Sequence, residues 1–362
     1  MLKNMMEKDK NLNVAVIMIN YHDYADRFLA DCIASLRQVN FSYGKFDIVV
    51  VDNDSSYQTR KLIQEIAPEV RIVVNKENIG FGAGNNSAVE AIKELGYDYY
   101  LFLNMDVEVE SDFINYLVET AQSKSDIGSV QSRIMLFEDK TKINSLGNKI
   151  HFLGFGYSGE YKQEYSGQEV SAEIVYPSGC SVLVPSEVFE KIGRFTPEFF
   201  MYHDDMELGL KIRLLGLKNY IAFNSVIFHK YEFSRSIAKY YWMERNRLIV
   251  WAMIFKFPTL ILWWPAWLVM EIGLNIFAIK GGWWREKFKV YKWFLNWENL
   301  NDLLNWREKA LQLRKVGDRE IIRGFSGKIE FQDSDVDNWV VQKIANPIFN
   351  IYFQISKFLI FW

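Results

Sequence analysis

Val14 to Asn20 reads VAVIMIN, a continuous β-branched and apolar run that stops on a carboxamide. A run without polar alternation marks a strand buried on both faces, as in a parallel sheet. Helical spacing follows at Phe28, Leu29, Cys32, Ile33 and Leu36, and a second buried run, Asp47 to Val51, ends in Asp52-Asn53-Asp54-Ser55-Ser56. The cycle repeats with a helix from Thr59 to Ile66, a strand from Val70 to Val74, and a glycine-rich turn from Asn78 to Asn86. A helix to Leu95 and a strand from Tyr99 to Leu103 follow. Alternating strand and helix predicts an α/β fold with a doubly wound sheet, in which ligands bind beyond the carboxyl ends of the strands. Asp52, Asn104-Met105-Asp106 and His229 all fall at such ends.

Further along, residues 140–176 are less periodic and predict hairpins or loops. Order returns with a strand over Ser181 to Val184, a short helix from Ser186 to Ile192, and a helix from Met206 to Leu215 closed by Gly216. A strand from Tyr220 to Phe228 then delivers His229. After Ser236 the pattern changes to long helices rich in tryptophan. Three segments are expected: a frayed leader at 1–12, a catalytic domain at 13–235, and a helical region at 236–362.

The chain has 362 residues and a formal net charge of −3, which gives no reason to expect nucleic acid as a partner. Its two cysteines, Cys32 and Cys180, are too few for a disulfide scaffold and match no metal spacing, so a reducing, cytosolic setting fits best. Residues 1–13 lack the apolar stretch of a secretory signal.

The chemistry sits at the strand ends. Asp52 and Asn53 can accept hydrogen bonds from a base or ribose, or can simply form a turn and helix cap. The turn holding Asn78, Gly80, Gly82, Gly84 and Asn85 lacks both GxGxxG and a P-loop lysine, so it offers either backbone amides to a nucleotide or an ordinary strand-to-helix turn. Asp106, beside Asn104, is the hard oxygen ligand that Mg2+ or Mn2+ would take together with a diphosphate, and turn chemistry is again the alternative. His203-Asp204-Asp205-Met206-Glu207 gathers three acids at a helix start. The helix dipole explains one of them; Asp205, if it faces the cleft, can act as a general base, with Glu207 facing the helix surface or bracing the loop. His229 is either structural or a metal partner.

Together these motifs resemble the family 2 glycosyltransferases of GT-A fold, in particular the rhamnosyltransferase-like branch that builds bacterial cell-surface polysaccharide. The resemblance runs from Val14 to about Val250. It rests on Ile19-Asn20-Tyr21, Val51-Asp52-Asn53, Asn75 to Asn86, Leu103 to Asp106, Gly179 to Val184, Phe199 to Leu208, His229, and Glu244 to Leu248. It implies a mixed sheet flanked by helices, with Asn20, Tyr21, Asp52, Asn53, Asn78, Gly82, Gly84, Asn85, Asn104 and Asp106 around a nucleotide sugar. It also implies Asp106 and His229 on a Mg2+ or Mn2+ ion, and Asp205 as catalytic base with Asp204 as the second candidate. Met105 replaces a more usual proline there.

The activity so implied is inverting transfer of a sugar from a nucleotide diphosphate (dTDP-rhamnose first, or a UDP-sugar) to a lipid-linked or oligosaccharide acceptor. A non-catalytic nucleotide-sugar or lipid-carrier binding protein and a nucleotidyltransferase are the rivals.

Between Leu248 and Ile279, Lys256, Pro258, Pro265 and Glu271 break the apolar run below the roughly 20 residues a spanning helix wants. That region and the segment from Val340 to Trp362 are expected to lie on the inner face of the cell membrane. Burial of their aromatics in their own core or in a homodimer contact is the alternative.

Overall fold

A computed structural model of the chain describes residues 11–167, 169–231, 237–330 and 339–362. The expected leader lies outside the described residues as far as residue 10, and Leu12 already belongs to the first strand. The first half runs β1 (Leu12–Asn20), α1 (Ala30–Leu36), β2 (Gly44–Asn53), α2 (Tyr57–Ile66), β3 (Arg71–Asn75), α3 (Phe81–Ile92), β4 (Tyr99–Leu103), β5 (Val107–Val109) and α4 (Phe113–Gln122). It continues with β6 (Ile127–Leu136), β7 (Ile143–Ser145), β8 (Asn148–Ile150), β9 (Gly156–Ser158), β10 (Ser171–Ile174), β11 (Ser181–Pro185), α5 (Ser186–Lys191), α6 (Asp204–Leu214) and β12 (Lys218–His229). Among the described residues, six α-helices follow: α7 (Ile237–Ile254), α8 (Phe257–Lys280), α9 (Trp284–Phe294), α10 (Trp297–Leu313), α11 (Asp318–Ile321) and α12 (Asn346–Leu359).

The main sheet has the order β10-β12-β6-β11-β4-β1-β2-β3. β1 pairs in parallel with both β2 and β4, whereas β11 is antiparallel to β4 and β6, so the sheet is mixed as the GT-A resemblance implied. The unbroken apolar reading of β1 has a direct cause. Val14, Val16 and Met18 enter one core with Leu29, Ile33 and Leu117, while Ala15 and Ile17 enter the opposite core with Val89, Ile92 and Phe189. Both faces of the pleat are covered, so neither can be polar.

A third core joins the two parts of the chain. Phe152, Leu153, Phe199, Met206 and Leu210 pack in one cluster with Trp251, Trp263 and Phe353. The helical region therefore shares its interior with the sheet half and is not a separate body. The expected boundary at 235/236 itself lies outside the described residues.

Three elements differ from expectation. The glycine stretch is turn only as far as Gly80, because α3 starts at Phe81 and takes Gly82, Gly84 and Asn85 into its first turns. The residue that must be glycine is Gly80: its φ is 85°, and a Cβ there would stand 2.3 Å from Phe200 O. At the second element, α6 begins at Asp204, so both neighbouring aspartates lie in its first turn. The third is α8, which runs 24 residues through Pro265 and is long and apolar enough to cross a membrane by length and composition.

Four charges are buried where α7, α8 and α9 meet. Arg247 donates to Glu244 at 3.1 Å and to Glu271 at 3.3 Å, and Lys287 reaches Glu244 at 2.5 Å and also contacts Glu271. Tyr291 adds a 2.7 Å bond to Glu271. Removing one member leaves the others uncompensated in a dry site, so Glu271→Leu is expected to cost about 3–5 kcal/mol in denaturant unfolding. Burial alone would raise the Glu244 carboxyl, but Arg247 and Lys287 outweigh it and hold the group at about 2. That stabilisation is complete above the ordinary value of 4.5 and is lost as pH falls toward 2. Acid unfolding should therefore shift upward in Lys287→Met. At the α3 face, a Cβ on Gly82 would meet Asp204 Oδ1 at 2.6 Å and Phe195 Cβ at 2.9 Å. Gly82→Ala should accordingly lose ~1–3 kcal/mol by the same measurement.

Candidate active site

β4 and β11 together form the floor of the site. Beyond their paired ends, the Asn104 N–H donates to Cys180 O at 2.8 Å, which brings Ser178-Gly179-Cys180 alongside Asn104-Met105-Asp106. Met105 is buried in the core against β1 and α4 residues, so this turn is anchored by side-chain packing where the family's more usual proline would stiffen the backbone. The adjacent strand β5 pairs antiparallel with β12, with Val107 opposite His229. Two distant stretches thus meet, and Asp106 Oδ1 lies 3.3 Å from His229 Nε2.

This pair has the character of half a metal site. Asp106 Oδ1 is buried without a hydrogen-bond partner among the described residues, and the other imidazole nitrogen, Nδ1, is held by Asn144 Oδ1 at 3.0 Å. A second partner on Nδ1 fixes the ring and turns the Nε2 edge toward the carboxylate, as metal-ligating histidines are usually held. Burial disfavours the imidazolium. The neighbouring Cys180 thiol and Asp106 outweigh that and push His229 up to about 10, so a cation binding here would expel a proton. Among the described residues no three His, Cys, Asp or Glu side chains cluster for a metal. Asp106 and His229 would therefore supply two ligands and leave the rest to phosphate oxygens and water.

The acidic helix start separates its members. Asp205 is half-buried; its Oδ2 accepts from the Gly179 N–H at 3.2 Å and its Oδ1 from the Met206 N–H at 2.8 Å. Burial pushes its carboxyl above the usual range, and the amides of Gly179 and Met206 oppose that. Asp204 turns the other way. It is buried against Gly82 of α3 and raised well above the usual carboxylate range by burial, then by Glu207 and Asp205. Pointing into the helix packing, Asp204 is not placed to act as the second base candidate. Glu207 braces the loop as expected: it accepts from the Thr196 N–H at 3.0 Å and pairs with Lys211 at 2.5 Å.

Asp106 and Asp205 consequently border the same dipeptide. Gly179 is hydrogen-bonded to Asp205, and the Cys180 thiol lies close to His229 and Asp106. Tyr231 stands 5.3 Å from the His229 ring and 6.0 Å from Tyr161, extending the site with aromatic surface. Asn144, Tyr161 and Tyr231 did not stand out in the sequence, and Cys180 did so only as a core cysteine within the Gly179 to Val184 motif. Tyr231, two residues past His229, was the one with a positional signal.

Several nucleotide-binding candidates are committed to the protein itself. Asn53 donates to Asn78 Oδ1 at 2.8 Å and to Gly80 O at 3.1 Å, and accepts from Asn75 at 3.2 Å and the Ile79 N–H at 3.3 Å. The Asn78 side chain also accepts from the Gly80 N–H at 3.0 Å. Gly82, Gly84 and Asn85 are buried within α3, where missing side chains permit close packing on Phe195, Asp204 and Ile19. In this fold the five residues brace the turn and the start of α3. Asp52 is wholly buried, accepting from the Ser55 N–H at 3.0 Å and Arg60 at 3.1 Å, while the cap of α2 is Ser56. Asn20 accepts from the Ala25 N–H at 2.9 Å and leaves its buried Nδ2 without a partner among the described residues. Tyr21 is 45% exposed and Asn104 half-buried, so both remain open to a ligand.

Known proteins similar to this chain are glycosyltransferases. Residues 15–193 match the model of glycosyl transferase family 2. The chain is 24% identical over 227 residues to rhamnosyltransferase WbbL of Escherichia coli K12, covering 59% of this chain and 81% of that protein. It is also 24% identical over 241 residues to the N-acetylglucosaminyl-diphospho-decaprenol L-rhamnosyltransferase of Mycobacterium tuberculosis, covering 60% and 76%. The crystal structure of GalNAc-T7 with UDP, GalNAc and Mn2+ superposes with a TM-score of 0.55 at 14% identity, over 68% of this chain and 48% of that one, which shows the shared fold. Residues 15–193 carry a glycosyl transferase family 2 domain, and the chain is a glycosyltransferase similar to the rhamnosyltransferases of that family.

Proposed function

We propose that the protein is an inverting, metal-dependent hexosyltransferase moving a sugar, rhamnose first, from a nucleotide diphosphate to a hydroxyl of a lipid-linked glycan. The observation that carries this reading is that the Asp106–His229 pair and Asp205 border one dipeptide, Gly179-Cys180. The donor's nucleotide would lie over the ends of β1, β2 and β4, against Tyr21 and Asn104, with Asp52 reached once Arg60 yields its oxygen. A divalent cation on Asp106 and His229, Mg2+ or Mn2+, would offset the charge growing on the departing diphosphate. Asp205 takes the proton from the acceptor hydroxyl as its oxygen attacks the anomeric carbon from the face opposite the leaving group. The two amides on Asp205 orient the carboxylate, while its partial burial raises its proton affinity.

The acceptor chemistry is supported by the helical region. Ile261, Trp264, Leu268, Ile272, Ile276 and Ile279 form one exposed stripe on α8, and Ile348, Ile351, Ile355 and Phe358 form another on α12. Trp263 donates to Ser356 at 3.0 Å and Tyr352 to Leu262 O at 2.5 Å, so the two stripes belong to adjoining helices. Exposed Lys280, Lys343 and Lys357 lie on the same helices or their leading turn and suit anionic head groups. Mid-helix, Glu271 is locked to Arg247 and Lys287, so α8 cannot leave the protein to span a bilayer without stranding those charges. The face would therefore lie in the interface of the inner leaflet, with the chain cytoplasmic and peripheral.

Transfer from dTDP-rhamnose or a UDP-sugar to a pyrophosphate-linked lipid acceptor, with Mn2+ and with EDTA, tests the reading. Asp205→Asn should lower kcat about 10²–10⁴-fold; retained transfer would exclude Asp205 as the base. Because burial raises Asp205, the acid limb of kcat/KM should lie above the ordinary carboxylate value of 3.8, as read from a pH–rate profile. Saturable donor binding without nucleotide release would favour a non-catalytic binder. The protein should sediment with anionic vesicles, and Ile261→Lys with Ile351→Lys should abolish this. A dimer that ignores vesicles and dissociates in the same double variant would assign the face to a second copy.

A further inference from the structure

The segment leading into Asp205 is held in a backbone that side chains resist. Phe200, Tyr202 and His203 all adopt left-handed φ values, of 65°, 65° and 69°, and none is glycine. Each such residue is strained and persists only where its surroundings over-determine it. Here the surroundings can be named carbonyl by carbonyl. Phe200 O accepts from the Phe81 N–H at 2.7 Å, and His203 O from the Glu207 N–H at 2.8 Å. The remaining carbonyls, of Phe199, Met201 and Tyr202, all converge at 2.9 Å on one nitrogen, Asn246 Nδ2.

Asn246 lies on α7, more than 40 residues away in sequence, and is wholly buried. Its own orientation is fixed from behind: Oδ1 accepts from Arg245 Nε at 3.0 Å and from Nη2 at 2.8 Å. Arg245 in turn sits 4.4 Å over the Trp242 ring, and Trp242 stacks on Phe200 at 4.8 Å. An aspartate at 246 would present an anion to three carbonyl oxygens, and leucine would supply no donor.

We infer that Asn246 is a positioning residue for the transfer reaction: it gathers the left-handed loop through three carbonyls so that Asp205 meets the acceptor hydroxyl. This rests on the reading of Asp205 as the base. Asn246 touches neither the Asp106–His229 pair nor the nucleotide crevice, so its loss should fall on turnover and not on donor binding.

The test is steady-state kinetics of Asn246→Asp, with nucleotide affinity by calorimetry and amide hydrogen exchange across residues 199–205. A displaced base predicts kcat lower by ~10–100-fold, with donor KM and nucleotide affinity near wild type and faster exchange confined to that loop. Arg245→Lys keeps the charge but loses the two-point hold on Oδ1; it should show the same pattern at smaller amplitude, and it carries the test if Asn246→Asp does not fold. Wild-type kcat in a folded variant, or loss of kcat and nucleotide affinity together, overturns the assignment. Inactive Asp205→Asn beside fully active Asn246→Asp would reject the positioning role and keep the base. Active Asp205→Asn would reject the base itself.

Discussion

The antiparallel pairing of β11 on β4 is the constraint from which the rest of the site follows. Every other neighbour on the β1 side of the sheet is parallel, so this reversal lays the start of one strand beside the end of another. The consequence is the bond from the Asn104 N–H to Cys180 O, which places a polar turn carrying Asp106 against the Gly179-Cys180 dipeptide. β12 then delivers His229 to Asp106 from one side, and α6 presents Asp205 to the Gly179 amide from the other. An acid, an imidazole and a second acid are thereby separated by two residues of backbone, with different environments for each carboxylate.

Those environments differ in kind. Asp106 faces an imidazole that is itself oriented by Asn144, an arrangement suited to sharing a cation. Asp205 hangs on two backbone amides with one flank open, which suits proton transfer. Asp204, next to it in sequence, faces the opposite way into α3. A helix rotates successive side chains by about a quarter turn or more, so adjacent aspartates cannot share a cleft and a packing surface equally.

The sequence carried the fold clearly, because a sheet covered on both faces needs strands that are apolar where they are covered, and Val14 to Ile19 of β1, Ile48 to Val51 of β2 and β4 are so. The strand ends were legible as polar positions. Which of those polar groups serve a ligand was not. Asn53 and Asn78 look the same in sequence whether they bind a base or tie down the turn before α3, and the hydrogen bonds show the second. Gly82 and Gly84 read as a loop because glycine is common in loops, yet here close approach of α3 to Phe195 and Ile19 needs them inside a helix. Asn246 stood in a recognised motif without a role, since its partners lie far away in the chain and only the folded loop assembles them. In the helical layer, the apolar length of α8 was interrupted on paper by Pro265 and Glu271. Folded, the proline is absorbed and the glutamate becomes the pin that holds the helix to the protein.

The most direct test of the central claim is anomalous scattering from crystals grown with Mn2+ and the nucleoside diphosphate. The account predicts a single strong manganese peak between Asp106 and His229, with diphosphate oxygens completing its shell and an open path from there past Gly179 to Asp205. A manganese peak ligated elsewhere, or a diphosphate bound on a surface that neither carboxylate borders, would contradict it.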